Sequence, residues 1–278
     1  MALPFIPSDA GLLALQSAVV AGPRPVPRVA WLERFHGRGW ALVPIGSIVV
    51  VIFAIRYVSD TATGLTDLAL VAVPILAAVA LGWAMRGARP LAALAAIPLF
   101  VLAWTSKTTL AGEAAAALLS ALSCVTLGVL LSAVTPARWL KAGIVLMAAA
   151  DVWLVASDLL QSPNNVLVAA APPAGLPQLQ AEVFGTVSMG YGDLFVAALL
   201  GAVLASQWRR QWQAALLTLA IAAGFDLLFF FISELPATVP VALALLVTES
   251  WQWRQQRRVS VARLRPSMRA DAIPRQAR

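Results

Sequence analysis

Residues 140–157, LKAGIVLMAAADVWLVAS, and 184–205, FGTVSMGYGDLFVAALLGAVLA, are two long apolar runs. Each is broken by a single carboxylate, Asp151 in the first and Asp193 in the second. A carboxylate at mid-bilayer depth costs at least about 2–3 kcal/mol, so it marks a functional site by default. Two such carboxylates on consecutive apolar segments predict a paired acid site.

Composition points the same way. The chain has 278 residues, 60% hydrophobic and 12% charged, with mean hydropathy +0.83. A soluble domain carries about twice that share of charge. The expected fold is all-α, a polytopic transmembrane helix bundle. The net charge of +7 sits in short connections and the C-terminal tail, which is a topology signal and argues against nucleic-acid binding. Cys124 is the sole cysteine and His36 the sole histidine. That excludes a disulfide framework and an HExxH metalloprotease site, and no metal or cofactor is expected. His36 also precedes the first expected span, which disfavours a Ser-His dyad. Of the common chemistries for proteolysis inside membranes, the aspartyl route is left.

Eight spans are expected, at about 39–57, 65–85, 90–105, 110–134, 139–160, 184–206, 211–233 and 235–250. Residues 10–22 are apolar but short: a ninth span, an interfacial helix or a buried piece. With no basic region ahead of them, a cleaved signal peptide is not expected. The chain thus divides into an N-terminal segment (1–38), a bundle (39–250) and a basic, disordered tail (251–278). Arg24, Arg28, Arg34 and Arg38, then Arg86 and Arg89, Arg138 and Lys141, Arg209 and Arg210, and the tail arginines alternate onto one side. That side is expected to be cytoplasmic, with the C-terminus inside a cell membrane and the tail near anionic lipid.

This orientation puts Asp151 on a helix running outward and Asp193 on the next, running inward. At about 1.5 Å per residue both would lie roughly 14–15 Å below the outer surface. Two such carboxylates share a proton, and one can activate water while the other donates to a scissile carbonyl. Gly190 and Gly192 remove side chains beside Asp193 and favour close backbone approach. Pro236 and Pro240 interrupt helical hydrogen bonding where the last span begins, leaving backbone groups for an extended substrate. Asp158, near the outer interface, and Asp226, deeper, are candidate modulators. Glu113 reads as interfacial.

These residues resemble the GxGD intramembrane aspartyl proteases, signal peptide peptidase more than presenilin. That family carries Tyr-Asp in one span, GxGD in the next and Pro-Ala-Leu at the start of its last span. Asp151, in AAADVWLV, corresponds to the first motif. Gly190-Tyr191-Gly192-Asp193 matches the second in full, and Pro236-Ala237-Thr238 matches the third in two of three places. The resemblance covers about residues 139–250. Ala150 stands where the family has tyrosine, and Thr238 where it has leucine, which marks a divergent member. The resemblance implies catalytic Asp151 and Asp193, motif residues Gly190, Tyr191, Gly192, Pro236, Ala237 and Thr238, and no cofactor. It also implies substrates that are single-pass membrane proteins or signal-peptide remnants. The alternatives are a prepilin-peptidase-like GxGD protease, a proton-coupled transporter and an inactive scaffold. The first usually has lysine two residues after its aspartate, where this chain has Phe195.

Overall fold

The computed structural model describes residues 5–25, 34, 36–44, 46, 50, 61–157, 166, 172, 175–179, 181–230 and 235–270. The fold is mostly helical. In chain order it contains α1 (Phe5–Ala21), a 3-10 turn (Arg38–Leu42), α2 (Thr61–Val79, prolonged by a π-turn, Ala80–Ala84) and α3 (Ala96–Thr105, led by the 3-10 segment Pro90–Ala95). Then follow α4 (Leu110–Val134), α5 (Ala137–Ala156), strands β1 (Ala181–Phe184) and β2 (Val187–Gly190), α6 (Tyr191–Leu204), α7 (Trp208–Phe225) and α8 (Val239–Ala270).

Among the described residues four helices are long and apolar enough to cross a membrane: 61–84, 110–134, 137–156 and 208–228. Three shorter apolar helices cover 5–21, 90–105 and 191–204. The expected count of about eight spans is therefore not matched; the expected span 90–105 is among the shorter helices. Most of the expected first span, 39–57, lies outside the described residues. The expected span 184–206 starts as a strand, and its helix begins only at Tyr191. The last helix does not stop at residue 250 before a disordered tail but continues to Ala270, and its apolar run, residues 239–247, is too short to cross a membrane.

Residues 10–22 belong to a helix packed inside the bundle, which weighs against an interfacial helix. α1 packs in the main core with α4, α6 and α7, and Leu12, Leu13, Val19 and Val20 are buried. It runs antiparallel to α7: Ser17 Oγ donates to the Ala215 carbonyl at 2.8 Å, and Gln211 Nε2 donates to the Val20 carbonyl at 3.1 Å. Gly201 of α6 lies directly against the Val20 carbonyl, leaving no room for a Cβ.

α4 is the central column, lying against α2, α3 and α6. Its contact with α6 is made at Gly128, where a Cβ would sit 2.9 Å from the Ala198 backbone. Small residues let membrane helices approach this closely. Gly128→Val is expected to destabilise the bundle by about 2–3 kcal/mol, because the opposing atoms are backbone and cannot swing away. Unfolding of the detergent-solubilised protein measures it.

One end of the bundle gathers the basic groups. Arg86 Nε donates to Gln211 Oε1 at 3.0 Å, its Nη2 donates to the Ala205 carbonyl, and its guanidinium stacks on Trp208, 4.3 Å from the ring centroid. Burial pulls the Arg86 pKa below its usual range. Lys141 pairs with Glu249 at 2.7 Å. The opposite end carries the β-hairpin and both motif aspartates.

Candidate active site

The hairpin forms because Gly185, at φ 64°, provides the left-handed turn between two short β-rich runs, Val183-Phe184 and Val187-Ser188. Three helical side chains and one glycine hold it. Glu113 of α4 accepts the Gly185 N–H at 2.8 Å, Ser8 of α1 accepts that of Thr186 at 3.3 Å, and Ser120 donates to the Leu179 carbonyl at 3.2 Å. Gly11 leaves space that the Phe184 ring occupies. Glu113 is thus an anchor for the hairpin and not merely an interfacial charge.

Strand β2 leads straight into the candidate site. Pairing runs Phe184↔Val187, Val183↔Ser188, Glu182↔Met189 and Ala181↔Gly190. Hydrogen-bonded and non-hydrogen-bonded pairs alternate outward from the turn. The N–H and C=O of Ser188 and the N–H of Gly190 therefore face away from β1. Among the described residues the sheet contains only these two strands. The Gly190 N–H is taken by Asp193 Oδ2 at 3.1 Å. The outer edge of β2 consequently ends at the Asp193 carboxylate.

Asp193 occupies the first turn of α6, where an acid also caps the helix and meets its positive end. This corrects its expected position nine residues into a helix, since residues 187–190 are extended and rise about twice as far each. Gly190 gives the carboxylate room: a Cβ would meet Asp193 Oδ2 at 3.2 Å, a tight contact. Gly192 is exposed and faces open space, with nothing within 4 Å of the point a Cβ would occupy. Tyr191 points the other way, its hydroxyl 2.7 Å from Ser123 Oγ on α4.

Asp151 reaches the site from α5. Its Oδ2 accepts the Thr238 hydroxyl at 2.6 Å and the Thr238 N–H at 3.4 Å. The departure from leucine at this place thus supplies a hydrogen bond to the carboxylate. Thr238 is buried just ahead of α8, in a turn closed by Val239 N–H to the Pro236 carbonyl at 3.2 Å. Asp151 and Asp193 lie within reach of each other's charge. The structure therefore brings together Asp151, Asp193, Gly190 and Thr238, with Pro236 and Ala237 in the adjoining turn.

Asp226 lies elsewhere, within range of the Asp9 carboxylate of α1. Asp158 lies outside the described residues. Among the described residues no three metal-binding side chains cluster. Between α5 and α8 runs an apolar groove of about 470 Å³, lined by Ala142, Val145, Leu146, Ala149, Leu245 and Leu246. The Lys141–Glu249 pair closes one end, and Asp151–Thr238 lies beyond the other.

The chain matches no protein-family model, and neither a curated protein nor a solved structure matches it.

Sequence reasoning misses Gln16, Ser8, Glu113 and Ser123 as residues that support the site. The available signal is a polar side chain inside an apolar run, as in LLALQSAVV, where burial without a partner would be costly. Filling the open space beside Asp193 is a direct check on access. Gly192→Leu is expected to leave thermal unfolding within about 0.5 kcal/mol, as for an exposed position. On the protease expectation drawn from the motif resemblance, the same substitution is expected to lower cleavage of a reporter at least ten-fold.

Proposed function

We propose that this chain is an intramembrane aspartyl endopeptidase acting on single-pass membrane segments or signal-peptide remnants. The observation that carries the reading is that Asp151 and Asp193 stand on the contacting helices α5 and α6 within range of each other's charge, with Asp193 at the open end of β2. A peptide bond can be attacked only where its carbonyl is unwound and accessible. An extended substrate added to the outer edge of β2 would use the Ser188 backbone groups and run past Asp193. The groove between α5 and α8 offers an apolar approach from the bilayer.

In the proposed reaction the two carboxylates hold one proton between them and a water molecule in reach of both. Asp151, with Oδ2 engaged by Thr238, takes the water proton through its other oxygen. Asp193 donates a hydrogen bond to the scissile carbonyl. As the water oxygen bonds to the carbonyl carbon, Asp193 passes its proton to the carbonyl oxygen, giving a neutral gem-diol. Asp151 then protonates the amide nitrogen, the C–N bond breaks, and one gem-diol hydroxyl returns its proton to Asp193. The product amine and carboxylic acid restore the starting dyad. The proposed steps use only these side chains, water and the peptide.

The clustering of basic residues at the end opposite the hairpin supports a cell-membrane orientation with that end and the C-terminus cytoplasmic. It also supports contact between the tail and anionic lipid. The test is cleavage of a single-span reporter by the purified protein and by dyad variants.

A proton-coupled carrier is the second reading, favoured by the neighbouring Asp9 and Asp226 carboxylates. Proton uptake into liposomes in the absence of peptide cleavage would select it.

A further inference from the structure

Gln16 is 1% exposed, within the mainly apolar run LLALQSAVV of α1. A buried amide is costly unless its hydrogen bonds are made. Gln16 Nε2 donates to the Ala237 carbonyl at 2.9 Å, across 221 residues of chain. That carbonyl lies just before α8, so the helix does not use it. The C=O of Ala237 and the N–H of Thr238 belong to one peptide unit, which is planar and trans. The N–H end of this same plane points to Asp151 Oδ2, and the Thr238 hydroxyl lands on the same oxygen. Holding one end of a rigid plane aims the other.

We propose that Gln16 is a positioning residue: by fixing the Ala237–Thr238 peptide plane it sets Thr238 on Asp151. The inference rests on the protease reading for its consequence in rate, but the geometric claim stands apart from it. α1 thereby contributes to the site although it carries none of the motifs. Gln16 touches neither substrate nor the reacting atoms, so its loss acts on the chemical step and not on substrate binding.

The experiment uses the full chain in lipid bilayers with a single-span reporter. Gln16→Leu is expected to lower kcat roughly ten-fold, the scale of one lost hydrogen bond, with KM unchanged. Thr238→Val is expected to lose at least as much, and Thr238→Ser to retain activity. The Gln16→Leu/Thr238→Val double variant is expected to lose less than the product of the two single losses, because both act through Asp151. Multiplicative losses, or a raised KM with unchanged kcat, would overturn the proposal.

A second measurement does not depend on catalysis. In a Cys124→Ala background, Asp151→Cys and Thr238→Cys are expected to form a disulfide on oxidation, and Gln16→Leu to slow its formation several-fold. Unchanged cross-linking overturns the positioning role. If the wild-type chain cleaves no reporter while cross-linking responds to Gln16, the protease reading fails and the positioning role stands. Gln16→Met, unbranched and of similar length, serves if the leucine variant does not fold.

Discussion

Asp151→Asn and Asp193→Asn are each expected to abolish reporter cleavage, lowering the rate by about three orders of magnitude or more. An asparagine keeps the size of the side chain but can neither accept the water proton nor share one with its partner. Positioned acid–base groups contribute about 10²–10⁴-fold each. Members of one catalytic unit are not additive, so the double variant is expected to be no slower than either single one. Initial rates on a single-span substrate in bilayers measure this. Both variants should remain folded, with unfolding close to wild type. Asp193→Asn is the sharper test, since Asp193 also caps α6 by accepting the Gly190 N–H. The asparagine amide oxygen still accepts that bond. Folded Asp193→Asn protein with full activity would reduce Asp193 to a helix cap and end the protease reading.

The largest stability effect is expected at Gln211, far from the dyad. This side chain is fully buried. Its Nε2 serves the carbonyls of Val20, Pro23 and Gly201 at 3.1, 2.9 and 3.2 Å, and its Oε1 accepts Arg86 Nη2 at 2.7 Å. One amide thus ties the end of α1 to α6, α7 and the turn after α2. Gln211→Leu strands three buried carbonyls and removes the acceptor of a guanidinium. The nitrogen has two N–H groups shared among the three carbonyls. At about 1 kcal/mol for each N–H and about 1.5–3 kcal/mol for the bond from the charged Arg86, the loss is about 3–5 kcal/mol. That is a large share of the roughly 5–15 kcal/mol that separates folded from unfolded protein. Gln211→Glu separates the two halves of the side chain. It keeps the acceptor for Arg86 but turns an oxygen toward three carbonyl oxygens, so it too is expected to destabilise. Thermal unfolding in detergent gives both values, and a Gln211→Glu variant as stable as wild type would show that the carbonyl contacts contribute nothing.

Both sites show where local reading works and where it stops. Asp151 and Asp193 stand out because a charge in an apolar run is anomalous whatever surrounds it. Thr238 is visible as a departure from a motif, yet its meaning comes only from the carboxylate it meets. Glu113 and Gln16 look incidental in sequence, because each acquires a role from a distant partner: Gly185 for one, Ala237 for the other. The hairpin is hidden differently. Residues 184–190 are apolar and run directly into an apolar helix, and a hydropathy window merges the two. The pair of β-rich runs around Gly185-Thr186 is the local sign that separates them.

By itself the sequence determined that this chain is an apolar, mostly helical protein, that its basic residues collect on one side, and that two carboxylates lie where they are costly. Those properties are sums over neighbouring residues or anomalies against them. Only the tertiary structure decided that α1 is buried in the core, that the Gly190 N–H at the end of β2 meets Asp193, and that Thr238 meets Asp151 while Gln16 meets the Ala237 carbonyl. These are pairings between groups tens to hundreds of residues apart. A buried polar group must find a partner, but nothing in its local sequence says which one.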